Sequence, residues 1–248
     1  MGFETMSRRA VLRGIGVGAG AAILPSSIRA ATSDYVSRRP APAARKFRSK
    51  AVDAAIEAIS AKLRDAELAW LFSNCLPNTL DTTVEFGSFE GKPDTVVVTG
   101  DIPAMWLRDS SAQVWPYLQC VKQDDHLARL IEGIIRRQTR CILTDPYANA
   151  FMPNLKNPVP LEWSRHDRTK MKPGVGERKW EVDSLCYTVR LAHRYWKETG
   201  DTSPFDAHWA AAMHSIVETF KAQQRKASRG PYSFQRASMS PYDTLSEN

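Results

Sequence analysis

His126-Leu127-Ala128-Arg129-Leu130-Ile131-Glu132-Gly133-Ile134-Ile135-Arg136-Arg137-Gln138-Thr139-Arg140-Cys141-Ile142-Leu143 is the stretch that decides the fold class. Leu127, Leu130, Ile131, Ile134, Ile135, Gln138 and Ile142 recur at helical spacing along one face, and charged residues fill the other. The same period runs from Trp180 to Thr199 through Val182, Leu185, Cys186, Val189, Ala192 and Trp196, and stops at Gly200. It returns from Phe205 to Arg225 through Trp209, Met213, Ile216, Val217 and Phe220. Upstream, Val52, Ile56, Ile59, Leu63, Ala66 and Trp70 predict one amphipathic helix over 51–72. A further helix is expected between Asp109 and Val121, with Pro116 at a first turn or a kink.

Only Thr82–Phe86 and Thr95–Thr99 read as strands, and Glu90-Gly91-Lys92-Pro93-Asp94 between them predicts a small hairpin. Helices of about 15 to 22 residues with one minor hairpin indicate an all-α array, either a closed α/α toroid or an open solenoid. The connection from Thr144 to Arg178 is far longer than a usual helix link. It is either disordered or built for a ligand. Ala148-Asn149-Ala150-Phe151, then Trp163, His166 and Asp167, favour a ligand wall.

The chain has 248 residues, 43% of them apolar and 9% aromatic, which suits a folded protein rather than a disordered one. Its net charge of +7 is concentrated at the N-terminus, where the first 50 residues hold ten Lys/Arg against two acids. The remainder is nearly neutral, which argues against a nucleic-acid partner. Ser7-Arg8-Arg9-Ala10-Val11-Leu12-Arg13, an apolar stretch from Ile15 to Leu24 and small residues up to Ala31 have the layout of a twin-arginine export signal over 1–31. That apolar stretch is too short for a stable membrane anchor. The expected location is therefore periplasmic or secreted, with the twin-arginine machinery as an export partner. Residues 32–50, basic and Pro-containing, are expected to form a linker without order of its own, and 51–248 the folded domain. Cys75, Cys120, Cys141 and Cys186 form no C-x-x-C pair and are expected as free core thiols.

Chemistry concentrates at two helix starts. Trp106, Arg108 and Asp109 lie in Thr99-Gly100-Asp101-Ile102-Pro103-Ala104-Met105-Trp106-Leu107-Arg108-Asp109-Ser110. Lys179, Trp180 and Asp183 lie in Glu177-Arg178-Lys179-Trp180-Glu181-Val182-Asp183-Ser184. Acids here could simply cap or complement the helix N-termini. Repetition of the same mixture points instead to a sugar site: Asp109 and Asp183 accept from hydroxyls, Arg108 and Lys179 donate, and Trp106 or Trp180 stacks on the ring. No His spacing suits a metal, and no phosphate loop, dinucleotide loop or nucleophile elbow is present, so no cofactor is expected.

The first of these motifs, with Lys179-Trp180-Glu181-Val182-Asp183-Ser184-Leu185-Cys186-Tyr187, resembles the metal-independent exo-α-mannosidases of glycoside hydrolase family 125, from about Ala51 onward. The resemblance implies an (α/α)6 barrel, an α-mannoside glycan as substrate, and hydrolysis of terminal α-1,6-linked mannose with inversion. It places Arg108, Asp109 and Asp183 among groups lining the mannose pocket. A six-hairpin toroid needs roughly twice this length, so about half of it is expected here. The general acid and base that an inverting glycosidase requires are expected beyond Asn248, which leaves activity of this polypeptide uncertain and its catalytic residues unassigned. A non-catalytic carbohydrate-binding protein and a helical scaffold are the alternatives.

Overall fold

A computed structural model describes residues 35–236; the export signal expected at 1–31 lies outside them. The described part is mostly helical with two small sheets. Helices α1 (Lys50–Ser60) and α2 (Ala66–Cys75) replace the single helix expected over 51–72. The break has a local cause: Asp65 accepts from the Leu68 backbone N–H at 3.0 Å and so caps a new helix start.

Residues 35–49, expected as part of a linker without order, lie against the body instead. Arg39 bonds Asp81 through Nε at 2.7 Å and Asp53 through Nη1 at 2.9 Å. The Phe47 ring is buried, stacked on His126 at 4.4 Å between centroids and edge-on to Phe86 at 5.8 Å. Ser49 caps α1 by accepting from Val52 N–H and itself donates to Asp124 at 2.6 Å. Ion pairs and one aromatic ring supply the order that the apolar content does not.

The expected hairpin is present as β1 (Val84–Phe89) and β2 (Lys92–Val97), antiparallel with Val84 opposite Val97 and Phe89 opposite Lys92. A second sheet was not legible in the sequence. It joins β3 (Met105–Trp106), β4 (Ala150–Phe151) and β5 (Val175–Glu177) in the order β3-β4-β5, all antiparallel. The long connection 144–178 is therefore structured, with a 3₁₀ turn at Glu162–Ser164 between its two strands.

Helix α3 (Leu107–Val114) continues into a 3₁₀ segment, Trp115–Gln123, that carries Pro116 in its first turn. There the missing N–H costs no hydrogen bond. Helix α4 (Asp125–Thr144) buries the expected face, Leu127, Leu130, Ile131, Ile134, Ile135, Gln138 and Ile142. Each such aliphatic side chain contributes roughly 1.5–3 kcal/mol. It passes β2 closely enough at Gly133 that a Cβ there would stand 3.0 Å from the Asp94 carbonyl carbon and the Thr95 nitrogen.

Helices α5 (Val182–Thr199) and α6 (Ala207–Gln223) complete the described part. Of the face expected for α5, Leu185 and Ala192 are buried and the other four positions are not. Leu185, Thr188, Leu191, Ala192 and Tyr195 are buried, whereas Val182, Cys186, Val189 and Trp196 point outward. In α6, Ile216 is buried but Val217 is 49% exposed. Both helices carry more than one apolar stripe, and periodicity does not choose between stripes. Among the described residues all four cysteines are free. Cys120 and Cys141 are in the core, while Cys75 and Cys186 are exposed, contrary to the expectation of four core thiols. No helix of the described part is long and apolar enough to cross a membrane.

Candidate active site

The two helix starts singled out in the sequence meet. Arg108, in the first turn of α3, donates from Nη1 to Glu181 Oε2 at 2.9 Å and to Asp183 Oδ2 at 3.3 Å, across the mouth of α5. Its Nε lies 3.5 Å from Asp109 Oδ2. One guanidinium thus faces three carboxylates, all half-buried. Neither acid cluster is spent on capping. The α3 N–H of Leu107 goes to the Asn149 carbonyl at 3.1 Å, and neither Trp106 nor Glu181 makes a side-chain cap.

Charge imbalance shows in the titration of the cluster. Burial pushes the Glu181 carboxyl above its ordinary 4.5, with Asp183 and Glu177 adding repulsion and Arg108 opposing them. For Arg108, burial pulls the guanidinium down, but Glu181, Asp109 and Asp183 together outweigh it and hold the group charged. Asp109 Oδ2 is shut off from solvent and makes no hydrogen bond, even though the side chain as a whole is 37% exposed. The carboxyl group is thus turned with one oxygen inward against Arg108.

Asn149 ties the two mouths together, and it was not among the expected site residues. Besides accepting from Leu107, it donates from Nδ2 to Glu177 Oε2 at 2.7 Å and accepts at Oδ1 from the Lys179 N–H at 3.1 Å. Glu177 is also held by Trp163 Nε1 at 3.0 Å and by Arg236, which reaches Asp167 as well. Arg178, next in sequence, is buried against Asp145 with Nε to Oδ2 at 2.7 Å. The signal for this framework was the Asn149, Trp163 and Asp167 content of the long connection. Glu181 was overlooked because acids at a helix start are commonplace.

The two indoles pack in different apolar clusters. Trp106 is half-buried among Ala104, Ala150, Leu161 and Trp163. Trp180 packs with Tyr147 and Tyr232, both at 6.3 Å between ring centroids, and its Nε1 has no hydrogen-bond partner. Lys179, next to Trp180 in sequence, is anchored through its backbone N–H to Asn149. Among the described residues no group of three or more His, Cys, Asp or Glu comes together to hold a metal ion. Fixed carboxylates, one guanidinium and half-buried indoles suit recognition of a hydroxyl-rich ligand.

Comparison with known proteins points the same way. A solved Streptococcus pneumoniae protein, a metal-independent alpha mannosidase in a non-productive complex with alpha-1,6-mannobiose, superposes with a TM-score of 0.71 and 41% identity, over 81% of this chain and 46% of that one. The meiotically up-regulated gene 157 protein of Schizosaccharomyces pombe is 41% identical over 195 residues, 75% of this chain and 38% of that protein. The chain therefore spans less than half the length of these relatives. Residues 65–248 match the family described as metal-independent alpha-mannosidase. With well over half of its length inside that match, the chain belongs to glycoside hydrolase family 125.

Proposed function

We propose that the Arg108 cluster is part of the pocket for the terminal mannose of an α-1,6-linked mannoside, in a metal-independent exo-mannosidase that hydrolyses with inversion. One observation carries this: Arg108 bridges Glu181 and Asp183, 73 and 75 positions away, so both helix mouths open on one polar cluster. Asp109 and Asp183 accept from sugar hydroxyls, Arg108 and Lys179 donate, and Trp106 or Trp180 offers an apolar face. Inversion requires an acid and a base about 6.5–9.5 Å apart, one for the leaving oxygen and one for water. We assign the Arg108 cluster to binding rather than to that carboxyl pair. The described helices correspond to part of an α/α toroid, a reading supported by the likeness to the solved mannosidase. The sequence of residues 1–31 supports export by the twin-arginine route to the periplasm or beyond.

Calorimetric titration of the chain with α-1,6-mannobiose, followed by analysis for released mannose, tests the proposal. Saturable binding that Arg108→Met removes is the expected result. Turnover abolished by Asp109→Asn or Asp183→Asn would move the catalytic groups into the cluster. Binding without product, in a chain extended to the length of the relatives, would favour a non-catalytic carbohydrate binder. No sugar binding at all would favour a scaffold.

A further inference from the structure

We propose that the chain carries a second ligand site, sharing no residue with the Arg108 cluster, for the phosphomonoester of a small ring-bearing molecule. A cavity of about 640 Å³ opens between the β1–β2 hairpin, the second half of α4, residues 153–156 and the start of α6. That volume is in the range of small-molecule sites.

The charges in its wall do not balance. Arg137 and Arg140, three apart on α4, both reach Asp94 of β2: Arg137 Nη2 lies 3.2 Å from Oδ2, and Arg140 Nη2 bonds Oδ1. The side chains of Arg137, Asp94 and Arg140 are 9%, 14% and 23% exposed, so one carboxylate serves two guanidiniums away from bulk water. Arg137 Nε has no acceptor at all. Two shielded guanidiniums that share one carboxylate leave positive charge only partly met, which is costly, and an anion relieves it. The neighbouring acids cannot supply the missing negative charge, because Glu132 and Asp206 are already taken up by Arg136 and Lys92. Lys156, exposed at the rim, adds another positive charge.

With Glu132, which bonds the lining Arg136, included, five Lys and Arg face four Asp and Glu, a surplus of one. A phosphomonoester meets that surplus and offers three strong acceptor oxygens where a monocarboxylate offers two. Its oxygens also suit paired guanidinium donors. The remaining wall is apolar, with Leu143, Pro153 and Leu155 beside Phe89, whose ring already lies 3.9 Å from the Arg140 guanidinium carbon. That surface accommodates a ring rather than a free inorganic ion.

Calorimetry of the purified chain at low ionic strength with phenyl phosphate, inorganic phosphate and benzoate tests the assignment. Phenyl phosphate is expected to bind saturably and more tightly than either of the others. Arg140→Met should weaken it about tenfold or more, as loss of a charge-assisted bond implies. Lys156→Ala, at an exposed position that leaves the fold intact, should weaken it a few-fold. Absence of saturable heat at millimolar phenyl phosphate, or affinity unchanged in both variants, overturns the site. Benzoate binding as tightly as phenyl phosphate overturns the phosphate group, and inorganic phosphate binding as tightly overturns the ring.

Discussion

Replacing Gly174 by Ala should cost far more than the same change at Gly91, although both glycines have positive φ, +82° and +75°. An L-residue in that region costs about 1–2 kcal/mol, and this part is common to both. At Gly91, in the tip of the β1–β2 hairpin, a Cβ meets nothing within 4 Å. At Gly174 it would stand 2.6 Å from the Leu155 Cα and carbonyl carbon, and nearer still to the carbonyl oxygen. Those are backbone atoms that no rotamer change can move. Retreat of residue 174 is blocked as well, since its N–H donates to Asn157 at 2.6 Å and its carbonyl accepts from Met152 at 2.9 Å. Overpacking of this kind adds about 1–3 kcal/mol. The expected totals are about 1 kcal/mol for Gly91→Ala and about 3 kcal/mol for Gly174→Ala. At roughly 2–4 °C per kcal/mol for a domain of this size, Tm should fall by about 3 °C and about 10 °C. Thermal melts followed by circular dichroism give both values. Because Gly174 leads directly into β5 and Glu177, mannobiose affinity should also drop in Gly174→Ala, well below its Tm, and hold in Gly91→Ala. Equal melts for the two variants would refute the steric part of the reasoning.

Three further outcomes follow from the charged groups. Mannobiose affinity should fall as pH is lowered through the raised titration of Glu181, above 4.5, because the protonated group releases Arg108; in Glu181→Gln that acid limb should be missing from the calorimetric profile. At Asp124, burial raises the carboxyl, but bonds from Ser49 and the backbone N–H groups of Leu127, Ala51 and His126 outweigh it and hold the group below 3.8. Its contribution to stability is therefore present above that value and lost as pH falls through the lowered one. Asp124→Ala should cost about 1–2 kcal/mol at neutral pH, whereas Asp124→Asn keeps the cap and flattens the acid limb, both readable from urea titrations. Arg39→Met leaves Asp81, whose side chain is 1% exposed, with Arg45 at 3.7 Å, and should cost about 2–3 kcal/mol. In limited proteolysis, residues 35–49 should then be cleaved well before the helices.

Elements that bury one continuous face were readable from spacing alone. In α4 every expected position is buried, and Pro116 sits where a missing N–H is tolerated. Spacing gave the length of α5 but not its orientation, because Val182, Cys186, Val189 and Trp196 recur as regularly as the residues that are buried. Order in residues 35–49 escaped composition for a related reason: Arg39 and Phe47 act through single specific contacts that no average records.

The juxtaposition of Arg108 with Asp183 was legible, and its cause was not. Two helix starts with the same unusual mixture suggested a shared site, yet nothing in that mixture brings them together. What does so is a sheet whose strands are two or three residues long, too short for any alternation, closed by Asn149. In sequence an Asn within a long connection reads as a turn former. In the folded chain it is fully buried and satisfies Leu107 N–H, Lys179 N–H and Glu177 at once. Burying an amide is tolerable only when its donors and acceptors are met, so Asn149 holds both helix mouths in one arrangement. The polar cluster around Arg108 is thus positioned by backbone pairing of three very short strands and by one buried amide, neither of which shows as a pattern in the sequence.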